Sequence, residues 1–176
     1  KLATEEYNLN LKSANYFAGH SLGEYTALTC ANSLKFEETL VILKKRGKAM
    51  QDAVPQGKGK MIVVMGAEIS KIENILKDNL KDFVCYIAND NSNHQIVISG
   101  LNDDIDKFTN YLDSLKIKNN SLKVSAPFHC PLMSKASINL VKDINNLNFS
   151  KPTNKIVSNV TAKEILDVNE LPNLLL

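Results

Sequence analysis

The spacing of apolar side chains changes several times along the chain, and each change marks a predicted element. Helices are predicted where apolar residues recur every three to four positions, and strands where a short apolar run stands between turn-forming residues. After the tail of a helix and a connection over 2–11, helices are predicted over 24–34, 36–53, 70–80, 102–115 and 133–147. Strands are predicted over 15–18, 61–65, 83–88, 95–99, 121–124 and 155–160. This alternation of strands and helices predicts an α/β protein.

The middle of the chain contains a self-contained run of predicted elements. Between residues 58 and 124 their order is β-α-β-β-α-β, which is the order of a ferredoxin-like fold, and a polar turn over 89–93 joins the second and third strands. We therefore predict an inserted ferredoxin-like subdomain over 58–124 and a main domain formed by 1–57 and 125–176. The subdomain helices are predicted to turn eight side chains inward: Ile72, Ile75, Leu76, Leu80, Ile105, Phe108, Leu112 and Leu115.

An apolar stripe is predicted along the long helix over 36–53. Its members are Phe36, Leu40, Leu43, Gly47, Met50 and Val54. Lys45 faces away from the stripe, as a solvated charge does, whereas Arg46 lies beside it. Two interpretations of Arg46 are open at this point. Its guanidinium binds a fixed anion, or its aliphatic stem covers the edge of the core while its charge reaches water.

Residues 19–23 have the sequence Gly-His-Ser-Leu-Gly and stand between a predicted strand and a predicted helix. A Gly-x-Ser-x-Gly pentapeptide in this position is typical of a nucleophile elbow, a sharp turn that exposes the serine hydroxyl. Both glycines are expected to permit the turn. Ser21 would lie at a helix N-terminus, and the N–H of Leu22 is the candidate oxyanion donor. The alternative is a glycine-flanked helix cap that contains a serine by chance.

The composition limits the classes of partner and compartment. The 176 residues are 44% hydrophobic, enough for a packed core, and 21 basic against 19 acidic side chains give a net charge of +2. This balance gives no case for a nucleic acid or a membrane surface as a partner. Cys30, Cys85 and Cys130 are widely spaced and form no C-x-x-C pair. They predict reduced thiols in a cytoplasmic protein rather than a metal site or a disulfide framework.

Three histidines are the candidates for a general base. His20 stands inside the sharp turn and cannot easily reach the hydroxyl of its neighbour, and His94 stands in a polar turn typical of a surface. His129 lies between two prolines, which stiffen a loop where the predicted subdomain rejoins the main domain. Active-site clefts often lie at such junctions, so His129 is the candidate base for Ser21. The alternative is a loop histidine that caps a backbone group.

Three separated motifs carry a family resemblance. They are residues 19–25, which include Ser21, residues 45–50, which include Arg46, and residues 125–133, which include His129. In this order and spacing they resemble the malonyl-CoA:acyl-carrier-protein transacylase family, and the resemblance covers essentially the whole chain. It implies an α/β-hydrolase-like main domain with a parallel sheet and an inserted ferredoxin-like subdomain.

The resemblance implies a ping-pong acyl transfer in fatty acid biosynthesis, from malonyl-CoA to the phosphopantetheine thiol of acyl carrier protein. Ser21 would form a malonyl ester, His129 would carry the proton, and Arg46 would bind the malonyl carboxylate as a bidentate pair. The positions that match the family's acyl pocket and its mouth are Met50, Phe128, Asn89 and Asn91. The implied enzyme is a cytoplasmic monomer without a metal or cofactor, since the coenzyme A thioester is a substrate.

Two features of the family would lie outside the chain, which we expect to be a fragment cut at both ends. A Gly-Gln-Gly segment that supplies the second oxyanion donor would precede residue 1, and the segment that orients the catalytic histidine would follow residue 176. We therefore expect the 176 residues alone to transfer weakly or not at all, because losing one oxyanion donor costs about 10²–10³ in rate.

Other functions stay open at this point: an α/β-hydrolase-type serine esterase or thioesterase, a polyketide-synthase acyltransferase domain, and a non-catalytic binding module. An ordinary esterase would order its triad as serine, acid and late histidine. Here a complete predicted subdomain separates Ser21 from His129, and no acid is obviously placed. A stand-alone enzyme and a domain of a synthase both agree with the sequence.

Overall fold

The computed structural model describes residues 2–176. The helices are α1 (Leu2–Glu5), α2 (Leu22–Cys30), α3 (Phe36–Ala53), α4 (Ile69–Asp78), α5 (Asn102–Ser114), α6 (Ser134–Asn145) and α7 (Leu171–Leu174). The strands are β1 (Tyr16–Ala18), β2 (Gly59–Met65), β3 (Cys85–Ser92), β4 (Gln95–Leu101), β5 (Lys118–Ser121) and β6 (Lys155–Val157). Within the described residues, no helix has the length and apolar character needed to cross a membrane.

The chain divides into two units, each described here by itself. The first comprises the described residues up to Arg46 together with residues 140–176, and the second comprises residues 47–139. The first contains a parallel sheet and the second an antiparallel one, so the predicted α/β class is confirmed with both kinds of sheet. The second unit includes the whole of the predicted subdomain, 58–124, whose bounds stay a prediction.

In the first unit, β1 and β6 pair in parallel, with Ala18 opposite Val157. Parallel neighbours end at the same edge of their sheet, so the segments that follow the two strands emerge side by side. The segment after β1 contains Ser21, and the segment after β6 contains Asn159. The topology therefore brings together two stretches of chain that are far apart in the sequence.

Helix α2 ends earlier than the predicted residue 34. Its last helical residue is Cys30, and Asn32 takes a left-handed backbone conformation with φ 57°. The N–H of Ser33 then donates to the carbonyl oxygen of Leu28 over 2.8 Å, which satisfies a helix-end carbonyl as in a Schellman motif. Asparagine tolerates this conformation better than other side-chain-bearing residues, so it stops the helix here.

The predicted stripe of α3 is wrong in the first turns of the helix and correct at Val54, which is buried just beyond the helix end. Thr39 and Ile42 are buried, whereas the predicted stripe residues Phe36 and Leu40 are exposed. The Oγ1 of Thr39 shares a hydrogen bond of 2.8 Å with a threonine hydroxyl of α2, and this polar contact turns the Thr39 side of the helix towards α2. One turn beyond Ile42, the same face carries Arg46.

In the second unit, the strands form an antiparallel sheet in the order β3-β4-β2-β5. With α4 and α5 these strands give the predicted β-α-β-β-α-β order. Every second residue of β2 and β4 packs in the core with residues of α4 and α5. This period of two is expected of a strand with one buried face. The most deeply buried members of this core are Ile62, Val64, Ile72, Ile96, Ile98, Ile105, Phe108 and Leu112.

Two of the eight side chains predicted to point inward are exposed. Leu80 is 57% exposed and Leu115 is 43% exposed. Helix α4 ends at Asp78 and α5 ends at Ser114, so both leucines lie beyond the last helical residue and no longer follow the helical spacing. The prediction is wrong at these two positions because the periodicity was extended past each helix end.

Two predicted strand boundaries in the second unit are also wrong. The turn predicted over 89–93 contracts to two residues, because β3 continues to Ser92. The pairing of β3 with β4 shifts register between Ile87 and Asn89 and again between Asp90 and Ser92. The strand predicted over 121–124 lies instead at Lys118–Ser121, paired with β2. It occupies an edge of the sheet, where one side faces solvent and polar side chains are tolerated, so its sequence lacks the apolar alternation of a strand.

Candidate active site

Ser21 occupies the sharp turn between β1, which ends at Ala18, and α2, which begins at Leu22. The predicted strand–turn–helix context of residues 19–23 is therefore present. The serine backbone has φ 54° and ψ −109°, a combination that costs a residue with a side chain about 1–3 kcal/mol. Such strain persists only where surrounding contacts hold the residue in place.

The two glycines of the turn have different roles. A Cβ on Gly19 would lie 2.0 Å from both the carbonyl carbon and the carbonyl oxygen of Gly23, so only glycine fits where backbone passes against backbone. A Cβ on Gly23 would meet no atom within 4 Å. The expectation that both glycines permit the turn is therefore correct for Gly19 and wrong for Gly23, which lies inside α2.

The N-terminus of α2 lies directly at the serine. Leu22 is the first helical residue, a position whose N–H has no acceptor within its own helix. The N–H of Glu24 donates to the carbonyl oxygen of Ser21 over 3.2 Å and closes the first turn. Negative charge that develops beside Ser21 is favoured by the helix dipole. The role of Leu22 as an oxyanion donor agrees with this position and stays a prediction.

Arg46 lies against the serine. Its Nη2 donates a hydrogen bond to Oγ of Ser21 over 2.9 Å, and its guanidinium carbon stands 5.8 Å from the centre of the Tyr25 ring. A cation over an aromatic face is attracted by the ring quadrupole. Burial raises the pKa of Tyr25 above its usual value, and the positive charge of Arg46 offsets part of that rise. Of the two interpretations of Arg46, the structure favours a guanidinium held at a fixed polar site.

Two further residues hold the turn, and neither was assigned a role from the sequence. The N–H of Ser21 donates to Oδ1 of Asn159, and the N–H of Asn159 donates to Oε1 of Glu24 over 3.1 Å. Glu24 is only 3% exposed. Burial raises the pKa of its carboxyl group, and the hydrogen bond from the N–H of Asn159 offsets part of that rise. The position of Glu24 directly after the pentapeptide is a sequence signal that this residue lies beside the turn.

His129 belongs to the second unit, on the loop over 125–130. The histidine is exposed and has φ 56°. The preceding Pro127 is buried and packs so closely on Gly59 of β2 that a Cβ on this glycine would lie 2.1 Å from the proline Cδ. The N–H of Phe128 donates to the carbonyl oxygen of Ala126 over 3.0 Å. The loop therefore packs on β2 through one of its two prolines, and its stiffness stays a prediction.

The remaining predicted site residues also lie in the second unit. Met50 near the end of α3, Phe128 beside the histidine and Asn89 in β3 are all partly buried. The structure brings Ser21 and Arg46 together, whereas the meeting of Ser21 with His129 stays a prediction. Among residues 2–176, no group of three or more histidine, cysteine or acidic side chains is placed to hold a metal ion.

The acyl transferase domain family matches residues 12–171, which is most of the chain. The chain belongs to the acyl transferase domain family. The nucleophile elbow and the loop with His129 both lie inside the matched range. The acyl transferase domain seen here spans about half the length of the curated relatives it matches.

Three similar proteins are all named as transacylases. The malonyl CoA-acyl carrier protein transacylase of Haemophilus influenzae is 36% identical over 155 residues, which are 88% of this chain and 50% of that protein. The structure of the transacylase of the same name from Coxiella burnetii superposes with a TM-score of 0.88 at 38% identity, over 93% of this chain and 52% of that chain. A malonyl-transacylase in complex with a type II polyketide-synthase acyl carrier protein superposes with a TM-score of 0.90 at 31% identity, over 98% and 56% of the two chains. The resemblance inferred from the three motifs is confirmed.

The first unit of this acyl transferase domain has the parts of a serine nucleophile with a cationic neighbour. A strained turn exposes the hydroxyl, a helix N-terminus stands behind it, and a guanidinium contacts its oxygen. A serine hydroxyl is a weak nucleophile until a base removes its proton, and arginine cannot act as that base because it stays protonated. The arginine can instead bind an anionic group that arrives at the serine.

Proposed function

We propose that the protein transfers a malonyl group from malonyl-CoA to the phosphopantetheine thiol of acyl carrier protein, through a malonyl ester on Ser21, in fatty acid biosynthesis. The contact between Arg46 and the Ser21 oxygen carries the proposal. A guanidinium beside the nucleophile supplies a bidentate partner for the carboxylate of a malonyl group. A serine hydrolase that acts on neutral acyl groups does not need such a partner.

In the first half-reaction, the Oγ of Ser21 attacks the thioester carbonyl carbon while the imidazole of His129 takes the hydroxyl proton. The carbonyl oxygen becomes an oxyanion and accepts a hydrogen bond from the N–H of Leu22. The tetrahedral intermediate then expels the thiolate of coenzyme A, which takes the proton from His129. The product is a malonyl ester on Ser21.

In the second half-reaction, the phosphopantetheine thiol of the carrier gives its proton to His129 and attacks the ester carbonyl. The oxygen of Ser21 leaves and recovers a proton from the imidazole. The chemistry is symmetrical, because the same base and the same oxyanion donor serve both halves. No metal or cofactor takes part in the proposed steps, and coenzyme A enters as part of a substrate.

Arg46 gives the reaction its selectivity in this proposal. Its fork of N–H groups matches the two oxygens of the malonyl carboxylate, which would replace the Ser21 oxygen as its main acceptor. An acetyl group leaves the guanidinium without an anion, and a hydrogen bond to a charged group contributes about 1.5–3 kcal/mol. Met50, Phe128 and Asn89 are proposed to line the acyl pocket and its mouth.

The finer description of the fold belongs to the same proposal. We propose an α/β-hydrolase-like main domain, and the parallel pair of β1 and β6 with a nucleophile elbow after β1 supports it. A ferredoxin-like subdomain over 58–124 is supported by the sheet order β3-β4-β2-β5. We further propose that the enzyme works as a monomer in the cytoplasm, and that neither nucleic acid nor membrane is its partner.

The test is an acyl-transfer assay with the natural full-length protein. Radiolabelled malonyl-CoA and acyl carrier protein that carries phosphopantetheine are mixed with the wild type and with Ser21→Ala. The proposal expects label on the carrier with the wild type alone. Rapid release of free malonate without labelled carrier would assign an esterase or thioesterase instead. Comparing carriers from fatty acid and polyketide systems separates the two pathways.

A further inference from the structure

Asn159 joins two points of the nucleophile elbow. Its side-chain Oδ1 accepts the N–H of Ser21, and its own N–H donates to Oε1 of Glu24 over 3.1 Å. Ser21 precedes α2, and Glu24 lies in the first turn of that helix. One asparagine therefore contacts the turn on both sides of the helix start, across the parallel pair of β1 and β6.

The contact falls on the strained residue itself. A hydrogen bond to the N–H of Ser21 fixes the plane of the peptide between His20 and Ser21. With φ at 54°, this plane determines the direction of the Cα–Cβ bond and so the position of Oγ. If the bond were absent, relaxation of φ towards the usual negative range would move the hydroxyl away from its position. A displacement of about 1 Å at a reacting atom can cost about a hundredfold in rate.

The asparagine is itself held in place by a tight turn. Ser158, which is 1% exposed, donates its N–H to the carbonyl oxygen of Lys163 over 2.9 Å. Its Oγ accepts the N–H groups of Val160 and Thr161 over 3.2 and 3.3 Å. The backbone on both sides of residue 159 is thus fixed, and the buried carboxylate of Glu24 holds its N–H. From this anchored backbone, the side chain of Asn159 places its amide oxygen on the N–H of Ser21.

We propose that Asn159 is a positioning residue for the acyl transfer: its amide oxygen holds Ser21 in the attacking conformation, and Glu24 holds Asn159. The proposal rests on the function proposed above, because it needs Ser21 as nucleophile. It does not depend on which acyl group the enzyme carries. The guanidinium of Arg46 also lies over the ring of Tyr25, a contact that does not involve Asn159, so removing the amide of Asn159 leaves the proposed carboxylate site in place.

The test compares three variants of the natural full-length protein. Asn159→Ala removes the acceptor, and Asn159→Asp keeps an oxygen at the same place. Asn154→Ala is the matched control, because Asn154 lies just before β6 and its Nδ2 donates to the carbonyl oxygen of Ala14 over 2.6 Å, at the opposite end of the β1–β6 pair from the turn. The expected result for Asn159→Ala is a fall of kcat of about 10- to 100-fold with KM for malonyl-CoA within about twofold. Asn159→Asp should recover most of kcat, and Asn154→Ala should lower stability but not kcat.

A second readout does not need malonyl chemistry. The rate at which a fluorophosphonate modifies Ser21 reports the nucleophile directly, and it should fall in Asn159→Ala and recover in Asn159→Asp. If the wild type reacts with the reagent but never transfers malonyl groups, the proposed function fails while the positioning role is still tested. Equal reagent rates in the wild type and Asn159→Ala would overturn the positioning role, as would an equal loss of rate in Asn154→Ala.

A measurement on the wild type covers the case in which Asn159→Ala does not fold. Amide hydrogen exchange at Ser21 should be slow, because its N–H is bonded in the native state. Exchange at the rate of an unstructured loop would contradict the proposal without any variant. Slow exchange that becomes fast in Asn159→Ser, whose hydroxyl is too short to reach, would support it.

Discussion

The guanidinium of Arg46 and the hydroxyl of Ser21 are joined by a hydrogen bond of 2.9 Å, although Arg46 lies in α3 and Ser21 lies in the turn before α2. A guanidinium bonded to a hydroxyl oxygen favours the deprotonated form of that hydroxyl, and the same fork of N–H groups can bind a carboxylate. In the proposed function, the pair links the chemistry of the elbow to the choice of acyl group.

Replacing Arg46 should change substrate choice more than chemistry. We expect Arg46→Ala to lower kcat/KM for malonyl-CoA by about 10- to 100-fold, since a hydrogen bond to a charged group contributes about 1.5–3 kcal/mol, and to leave acetyl-CoA unaffected or improved. Lys45→Ala is the control, because Lys45 is exposed and pairs with Asp143 at 2.5 Å. Equal losses with both thioesters, measured in parallel initial-rate assays, would remove Arg46 from the carboxylate site.

The two glycines of the elbow should respond in opposite ways to alanine. Gly19→Ala forces a methyl group to 2.0 Å from the backbone of Gly23, so the turn must open, and we expect the free energy of unfolding to fall by about 1–3 kcal/mol or more, with loss of activity. Gly23→Ala meets no atom and lies in a helix, so it should raise stability by about 0.5–1 kcal/mol. Urea unfolding of both variants is the check. A Gly19→Ala variant as stable and active as wild type would contradict the geometry of the turn.

Glu24 should make the stability depend on pH. Burial raises its pKa in the folded state above the unfolded value, so the folded protein binds the proton more tightly, and the free energy of unfolding falls as pH rises from the unfolded towards the folded pKa. Glu24→Gln keeps an oxygen for the N–H of Asn159 but does not titrate, so this position no longer makes the free energy of unfolding depend on pH. The stability of the variant relative to wild type should therefore rise between the unfolded and the folded pKa of Glu24 and stay constant above them. The comparison is made by urea unfolding at a series of pH values, with Glu73→Gln, at an exposed position on α4, as the control. A constant difference across the range would disprove this assignment.

The three cysteines should differ in reactivity. Burial in the sheet, with a further contribution from the Asp104 carboxylate, raises the pKa of Cys85 to about 12, so its thiolate is almost absent at pH 8. Cys30 and Cys130 are partly exposed. In native protein we expect a disulfide reagent to modify Cys85 far more slowly than the other two, and in urea all three should react alike. Mass spectrometry of the labelled peptides measures this, and fast native labelling of Cys85 would contradict the burial.

The local parts of the site could be predicted from the sequence. The turn around Ser21 has a short motif with a known backbone, and the helix with Arg46 has a clear period, so both were expected where they occur. The face of that helix was misjudged, because Thr39 is drawn inward by a hydroxyl on α2 that no apolar pattern records. Edge strand β5 was misplaced for a related reason, since its polar residues are stabilised by pairing with β2 rather than by burial.

The contacts of Asn159 could not be predicted because they depend on topology. The bond between its N–H and Glu24 joins residues 135 positions apart, and it exists only because β1 and β6 are parallel neighbours. Nothing in the local sequence of either residue specifies that pairing. Sequence patterns therefore predict the candidate nucleophile, whereas the residues that contact it became visible only with the sheet assembled.

The most direct test of the account is to locate the acyl group on the enzyme. The natural full-length protein is mixed with malonyl-CoA without a carrier, quenched in acid within the first turnover, digested and sequenced by mass spectrometry. We expect one malonyl ester, on Ser21, formed with malonyl-CoA much faster than the corresponding ester forms with acetyl-CoA. An ester on another residue, or turnover of malonyl-CoA with no ester at Ser21, would contradict the account.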